Sequence, residues 1–168
     1  MKKEQFRQLR DQFGEYSSFA FWKSENNVGD ISMFNDENIL EELNDRYIFV
    51  ALNPAERPAS TKIKAFKNFH SDYSHQKDFK LCYALKNTRF WGSYITDLFK
   101  SFHITDSAKL SKALKERPQD VQKDKESLLK ELRILSHVKT IFALGRKTEK
   151  YLKKLMGDDY EIVYIPYL

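Results

Sequence analysis

Three polar side chains stand where short apolar runs stop. Asn53 follows Tyr47-Ile48-Phe49-Val50-Ala51-Leu52, Asp97 follows Ser93-Tyr94-Ile95-Thr96, and Arg146 follows Thr140-Ile141-Phe142-Ala143-Leu144-Gly145. At neutral pH an amide is a poor base and an ionised carboxylate only accepts hydrogen bonds, so these groups suit orientation and recognition. Other chemistries lack their residues. The single cysteine, Cys82, falls on the apolar side of a helical pattern and reads as core rather than nucleophile. Four scattered histidines, of which His75, His103 and His137 read as incidental, give no metal-ligand spacing, so no metal and no cofactor is expected. No glycine-rich phosphate loop is present.

The elements that must position these groups follow from the same runs. Residues 47–52 are apolar throughout and bounded by Asn53-Pro54, the signature of a strand buried on both faces of a parallel sheet. Pro54 lacks an N–H and disfavours helix at Asn53, so the strand stops there. Residues 93–98, 140–144 and 160–166 read as three more strands. Phe6, Leu9 and Phe13 recur at helical spacing, and Ile39, Leu40 and Leu43 suggest a helical turn. Asp78 can cap a helix carrying Phe79, Leu81, Cys82 and Leu85. Leu128, Leu129, Leu132, Leu135 and Val138 mark an amphipathic helix over 126–138, and a further helix runs from Arg146 to about Met156, ended by Gly157. The aromatic cluster at 16–22 reads as core or a lid on the sheet. Residues 24–36, 56–61 and 71–77 read as loops. Residues 101–124 read as a partly helical stretch, a break at Pro118 and a charge run: a solvated insertion, or a flexible basic segment facing phosphates. The alternation predicts one α/β domain over 1–168, a three-layer α/β/α sandwich on a mainly parallel four-stranded sheet, with 1–45 as a helical and aromatic cap and 46–168 as the core. In such sheets ligands bind beyond the carboxyl ends of the strands, where Asn53, Thr96, Asp97 and Arg146 gather.

The chain has 168 residues, 14% aromatics and a formal net charge of +5. It is long enough for one core, and its aromatic content excludes a disordered chain. Residues 1–45 hold 5 basic and 10 acidic side chains, residues 62–100 hold 8 and 3, and residues 109–154 hold 14 and 6. The basic excess therefore lies beside the candidate site, the footprint of a polyanion binder, although lysines also solvate ordinary helix faces. No apolar stretch approaches a membrane span or a signal sequence, so a cytoplasmic protein without membrane contact is expected.

Ala51-Leu52-Asn53-Pro54-Ala55 resembles the first motif of the uracil-DNA glycosylase superfamily, in the form found in its mismatch-specific and thymine-DNA glycosylase branch. Three further stretches match in order: Phe66-Lys67-Asn68-Phe69-His70 is similar to the segment that stacks a ring on a flipped base, Tyr94-Ile95-Thr96-Asp97-Leu98 to the strand that ends in Thr-Asn in many members, and Ile141-Phe142-Ala143-Leu144-Gly145-Arg146 to the apolar strand and Leu-Gly turn. The resemblance covers roughly residues 46–168. It implies a hydrolase that cleaves the N-glycosidic bond of uracil or a related damaged base in DNA repair, as a monomer on single- or double-stranded DNA. The base is extruded into a pocket, and it leaves as an anion that donors must stabilise. Asn53 would place the water, Phe69 would stack, and Asp97 would read the base. Thr96 and His70 would sit beside the substrate, Ala51, Leu52, Pro54 and Ala55 would line the pocket, and Arg146 and Lys147 would meet phosphates. Read alone, Asn53 is equally a turn cap, Phe69 a core ring and His70 a local structural hydrogen bonder.

The chain also departs from that pattern. Ala51 and Ala55 stand where glycines are usual, and Asp97 stands where an amide is usual. An ionised Asp97 cannot donate to a uracil carbonyl but can accept from an amino group or N–H. The family's second motif follows the last strand, and here that place is Pro166-Tyr167-Leu168. One lone cysteine excludes the four-cysteine iron–sulfur cluster of some branches. A weak or inactive glycosylase-like domain that binds nucleic acid is the alternative expectation, and an unrelated small α/β enzyme acting on a nucleotide or phosphorylated metabolite is a third.

Overall fold

The computed structural model describes residues 1–56, 62–71 and 78–166. The loop expected at 57–61, the polar stretch 72–77 with His75, and Tyr167-Leu168 lie outside these residues. The elements in order are α1 (Lys3–Phe13), β1 (Ser17–Phe19), a 3-10 turn (Ser32–Asn35), α2 (Ile39–Glu42), β2 (Ile48–Ala51), α3 (Asp78–Leu85), β3 (Tyr94–Asp97), α4 (Ser107–Glu116), α5 (Pro118–Leu135), β4 (Thr140–Leu144), α6 (Arg146–Met156) and β5 (Glu161–Ile165).

The fold is α/β on a mixed five-stranded sheet, ordered β1-β3-β2-β4-β5. This corrects the expectation of four strands. β2 pairs in parallel with β3 and with β4, and β4 in parallel with β5, while β1 joins the edge of β3 antiparallel, with Ser18 opposite Ile95. The extra strand comes from the aromatic cluster at 16–22, read from sequence as core or lid. Its two serines are fully buried. Ser17 Oγ donates to Phe13 O at 2.9 Å and Ser18 Oγ to Phe66 O at 2.8 Å, so each buried hydroxyl has its partner. The N-terminal 45 residues thus supply an edge strand as well as a helix.

Alternation along the central strands explains the two hydrophobic clusters. Ile48, Val50, Ile141 and Ala143 face the larger one, packed with leucines and phenylalanines from α1, α4, α5 and α6. Phe49, Ala51, Phe142 and Leu144 face the smaller one, with Cys82 and Leu85 of α3 and with Trp22. Cys82 is a buried free thiol whose pKa burial raises. At the heart of the larger cluster the ring of Phe19 meets those of Phe66 and Tyr94, with centroids 5.2 and 5.3 Å apart. Such pairs add about 0.5–1.5 kcal/mol each beyond the area they bury.

Residues 107–135 form two consecutive helices rather than an insertion. Asp106 caps α4, accepting from the N–H groups of Ala108 and Lys109 at 2.9 and 2.7 Å, and Pro118 opens α5 in the first turn, where a missing N–H costs nothing. Gly92 is a position only glycine fills: its φ is +78°, and a Cβ there would stand 2.0 Å from the Glu42 carbonyl oxygen.

Candidate functional site

α3, between β2 and β3, packs on the smaller cluster, whereas α4 and α5, between β3 and β4, and α6, between β4 and β5, pack on the larger one. The face changes as the direction along the sheet reverses, as right-handed crossovers require. The helix after β2 therefore lies on the opposite face of the sheet from the helices after its two neighbours, the arrangement that leaves a crevice at the carboxyl end of such a strand. A cavity of about 490 Å³ lies there, within the range of small-molecule sites. Asn53, Asn68, Phe69, Asp78 and Asp97 all contribute to its wall.

Asn53 uses the two ends of its amide differently. Its Nδ2 points at three carbonyl oxygens: Phe102 at 2.8 Å, Ile104 at 2.9 Å and Pro54 at 3.1 Å. Three acceptors around one atom fix that atom as nitrogen and clamp the loop after β3 to the loop after β2. The same loops are also joined by Leu98 N to Ala51 O and Phe99 N to Leu52 O, both at 2.9 Å. Oδ1 accepts no hydrogen bond from the described residues and is not among the buried atoms lacking a partner. It is a solvent-reached acceptor held rigidly on the cavity wall.

The Asp97 side chain is nearly inaccessible, at 2% exposure, and Asn68 Nδ2 donates to its Oδ2 at 2.8 Å. The same nitrogen donates to Tyr16 O at 3.0 Å, so Asn68 ties Asp97 to the turn before β1 and also leaves its own Oδ1 without a donor among the described residues. The turn that brings Asn68 here is strained. Phe66 and Phe69 have φ of +62° and +65°, a region that bulky residues avoid at a cost of about 1–3 kcal/mol each. Three contacts hold it: Phe66 N to Gly14 O at 2.7 Å, Ser18 Oγ to Phe66 O, and the Phe66 ring in the aromatic core. The outcome is that Phe66 faces inward while the half-buried Phe69 ring faces the cavity.

Sequence reading missed Asp78 and Asn68 as site groups. Asp78 was readable only as a helix cap. It accepts from Ser71 N at 2.8 Å, and burial raises its pKa to about 6. The sign of the linkage is fixed by that shift: the folded state holds the proton more tightly, so Asp78 costs stability as pH rises from about 4 through 6. Asp78→Asn is expected to be more stable than the parent at pH 7.5 by about 2 kcal/mol, with the gap closing below pH 4. Denaturant unfolding at the two pH values measures this, and an equal gap at both would refute it. Lys80 adds one ammonium to a wall that also carries Glu56.

The other expected residues divide. Ala51, Pro54 and Ala55 line the cavity, whereas Leu52 packs toward the larger cluster. His70 lies outside this cavity's wall, fully buried, with Nδ1 3.2 Å from Val28 O and Nε2 3.3 Å from Phe19 O, and burial lowers its pKa to about 4. Thr96 points to the opposite face of the sheet. Its Oγ1 donates at 2.7 Å to Glu131 Oε1, which also accepts from Tyr94 OH at 2.8 Å, while Lys100 Nζ bonds Glu131 Oε2 at 2.7 Å and Asp97 O at 2.6 Å. This buried charge cluster fixes the end of β3 from below, and burial with the Glu131 charge pushes the Tyr94 phenol well above its usual pKa. Arg146 and Lys147 are exposed at the start of α6. The Arg146 guanidinium stacks 4.6 Å from the Tyr164 ring, and Lys147 bonds the Ser107 hydroxyl. Among the described residues no three His, Cys, Asp or Glu side chains group as a metal site, and no helix is long and apolar enough to cross a membrane.

No protein-family description matches the chain, and neither a curated protein nor a solved structure shows significant similarity to it.

Proposed function

We propose that this chain is a DNA glycosylase-like N-glycosyl hydrolase, built on the three-layer arrangement of the uracil-DNA glycosylase superfamily and acting as a monomer. The observation that carries the reading is the Asn53 amide: it stands at the end of the central strand, with its nitrogen locked by three carbonyls and its oxygen open to the cavity. An oxygen so fixed accepts a hydrogen bond from a water molecule and turns that water's lone pair toward the sugar carbon. The Phe69 ring supplies the stacking face for an extruded base, worth about 1–3 kcal/mol per base in comparable contacts. Asp97, held by Asn68 and from beneath by Lys100, reads the base edge. As the water oxygen bonds to C1′, the glycosidic electron pair departs with the base, and the water's proton completes the leaving group. Lys80 places positive charge in the wall near the developing anion. Arg146, Lys147 and the other α6 lysines meet the phosphates.

The test is incubation with oligonucleotides bearing uracil, hypoxanthine or oxidised bases, followed by hot alkali, which breaks the strand at abasic sites. Strand breaks on at least one are expected. DNA binding should weaken linearly in log–log form with salt, by a slope of about −0.9 per phosphate contact on duplex. No breaks on any substrate would overturn the enzymatic reading. One observation favours a second reading, a nucleic-acid-binding domain without cleavage: clamping residues 102–104 is by itself sufficient reason for an Asn at position 53. That reading predicts salt-dependent DNA binding and no excision.

A further inference from the structure

The polar side chains of the cavity are lopsided. Asn53 and Asn68 have each committed their Nδ2 to main-chain or carboxylate oxygens, so each offers the cavity only an oxygen. Asp97 is a carboxylate whose Oδ2 faces the Asn68 amide, and Asp78 and Glu56 add two more carboxyl groups to the wall. Against these five stand one donor-only side chain, Lys80, and one hydroxyl that can donate or accept, Thr105. The amide orientations are forced: turning either amide over would set an oxygen against oxygens, three carbonyls at Asn53, and a carbonyl and a carboxylate at Asn68.

Nucleobases divide by the same property. Uracil and thymine present two carbonyl oxygens flanking a single N–H, so a wall in which acceptor oxygens outnumber donors suits them poorly. Cytosine and adenine present an exocyclic amino group, and guanine an amino group beside a ring N–H. A buried site that hydrogen-bonds an N–H rejects an analogue lacking it far more strongly than an apolar pocket rejects a change of shape, because its own polar groups are then left unpaired.

We infer that the cavity selects an amino-bearing base, with cytosine, adenine, guanine and their modified forms as the class, over uracil and thymine, the selection being made by the oxygens of Asn53 and Asn68 within an acidic wall. This rests on the reading of the cavity as a base pocket, and it names the base.

The experiment titrates the intact chain with deoxycytidine, deoxyadenosine, deoxyguanosine, deoxyuridine and thymidine by calorimetry or ligand-observed NMR, in parallel with the excision assay. At least one amino-bearing nucleoside is expected to bind ~10-fold or more tighter than deoxyuridine and thymidine. Asp97→Asn, which removes a carboxylate from the acceptor-rich wall, should shrink that gap to about 3-fold or less, with folding checked by thermal melting. Deoxyuridine or thymidine binding as tightly as every amino-bearing nucleoside overturns the inference, and so does the absence of binding by all five. The wild-type comparison stands even where Asp97→Asn fails to fold. The two readings fail separately: excision of uracil with no preference for amino-bearing bases sinks this inference and leaves the glycosylase, whereas preferential binding without excision of any base sinks the glycosylase and leaves this one.

Discussion

Asn53→Ala should lower base excision by at least ~100-fold, because a water released from its anchor no longer arrives in line with the sugar carbon. The substitution also has a structural cost. It removes the hydrogen bonds from Nδ2 to Phe102 O, Ile104 O and Pro54 O, and a typical net value of 0.5–1.5 kcal/mol per bond, with one nitrogen shared among three acceptors, gives about 1–2 kcal/mol. Excision is therefore compared well below the melting temperature of both proteins. Asn53→Asp sharpens the contrast. It keeps an oxygen toward the cavity but sets carboxylate charge against three carbonyl oxygens, so it should destabilise more than alanine does. Excision by Asn53→Ala above a tenth of the parent rate would remove Asn53 from the chemistry and leave it as a loop clamp alone.

The largest stability effect is expected at Glu131. Its carboxylate is fully buried and bonds Tyr94, Thr96 and Lys100, and the Lys100 side chain is only 6% exposed. Glu131→Ala leaves that ammonium without its counter-charge and removes the short acceptor of the Tyr94 and Thr96 hydroxyls, at a cost of about 3–5 kcal/mol. Against a total of about 5–15 kcal/mol for a domain, this is a large fraction. Lys100→Met alone strands the carboxylate in the same way. The double variant Lys100→Met with Glu131→Ala should be less destabilised than those two single changes summed, with a coupling of about 2 kcal/mol or more in guanidinium unfolding. A Glu131→Ala protein within about 1 kcal/mol of the parent would show that the cluster does not hold the end of β3.

Legibility followed locality. β2, β3 and β4 were readable because each is a short apolar run closed by a residue that cannot continue it, and α1 and α6 because their apolar positions recur at helical spacing. Asn53 was readable as a site group because Pro54 ends its strand beside it. β1 was not, because two serines and a phenylalanine carry no strand pattern, and what makes them a strand is main-chain pairing with β3 and hydroxyl partners at Phe13 and Phe66. Asn68 was missed for a related reason: it reaches Asp97 only because Phe66 and Phe69 adopt positive φ, a conformation that tertiary contacts impose. Pro118 was read as a break, yet proline at the first position starts a helix as readily as it ends one. Glu131 did leave a signal. It falls on the same stripe as Leu128, Leu132 and Leu135, and a charge on a buried stripe requires a buried partner.

The antiparallel edge strand bears on how the chain is made. α1 and β1 stand early in the chain, but among the described residues β1 pairs with β3 alone, and Gln5 Nε2 bonds Ile134 O, 129 positions later. Phe6 and Phe19 can meet each other and Phe34 early, but Phe66 and Tyr94, which complete their cluster, come later in the chain. Closure over such distances is slow, and apolar surface waiting for it is prone to stray association. The bond from Gln5 to Ile134 cannot form until residue 134 is in place, so α1 is tied down late although it stands early in the chain.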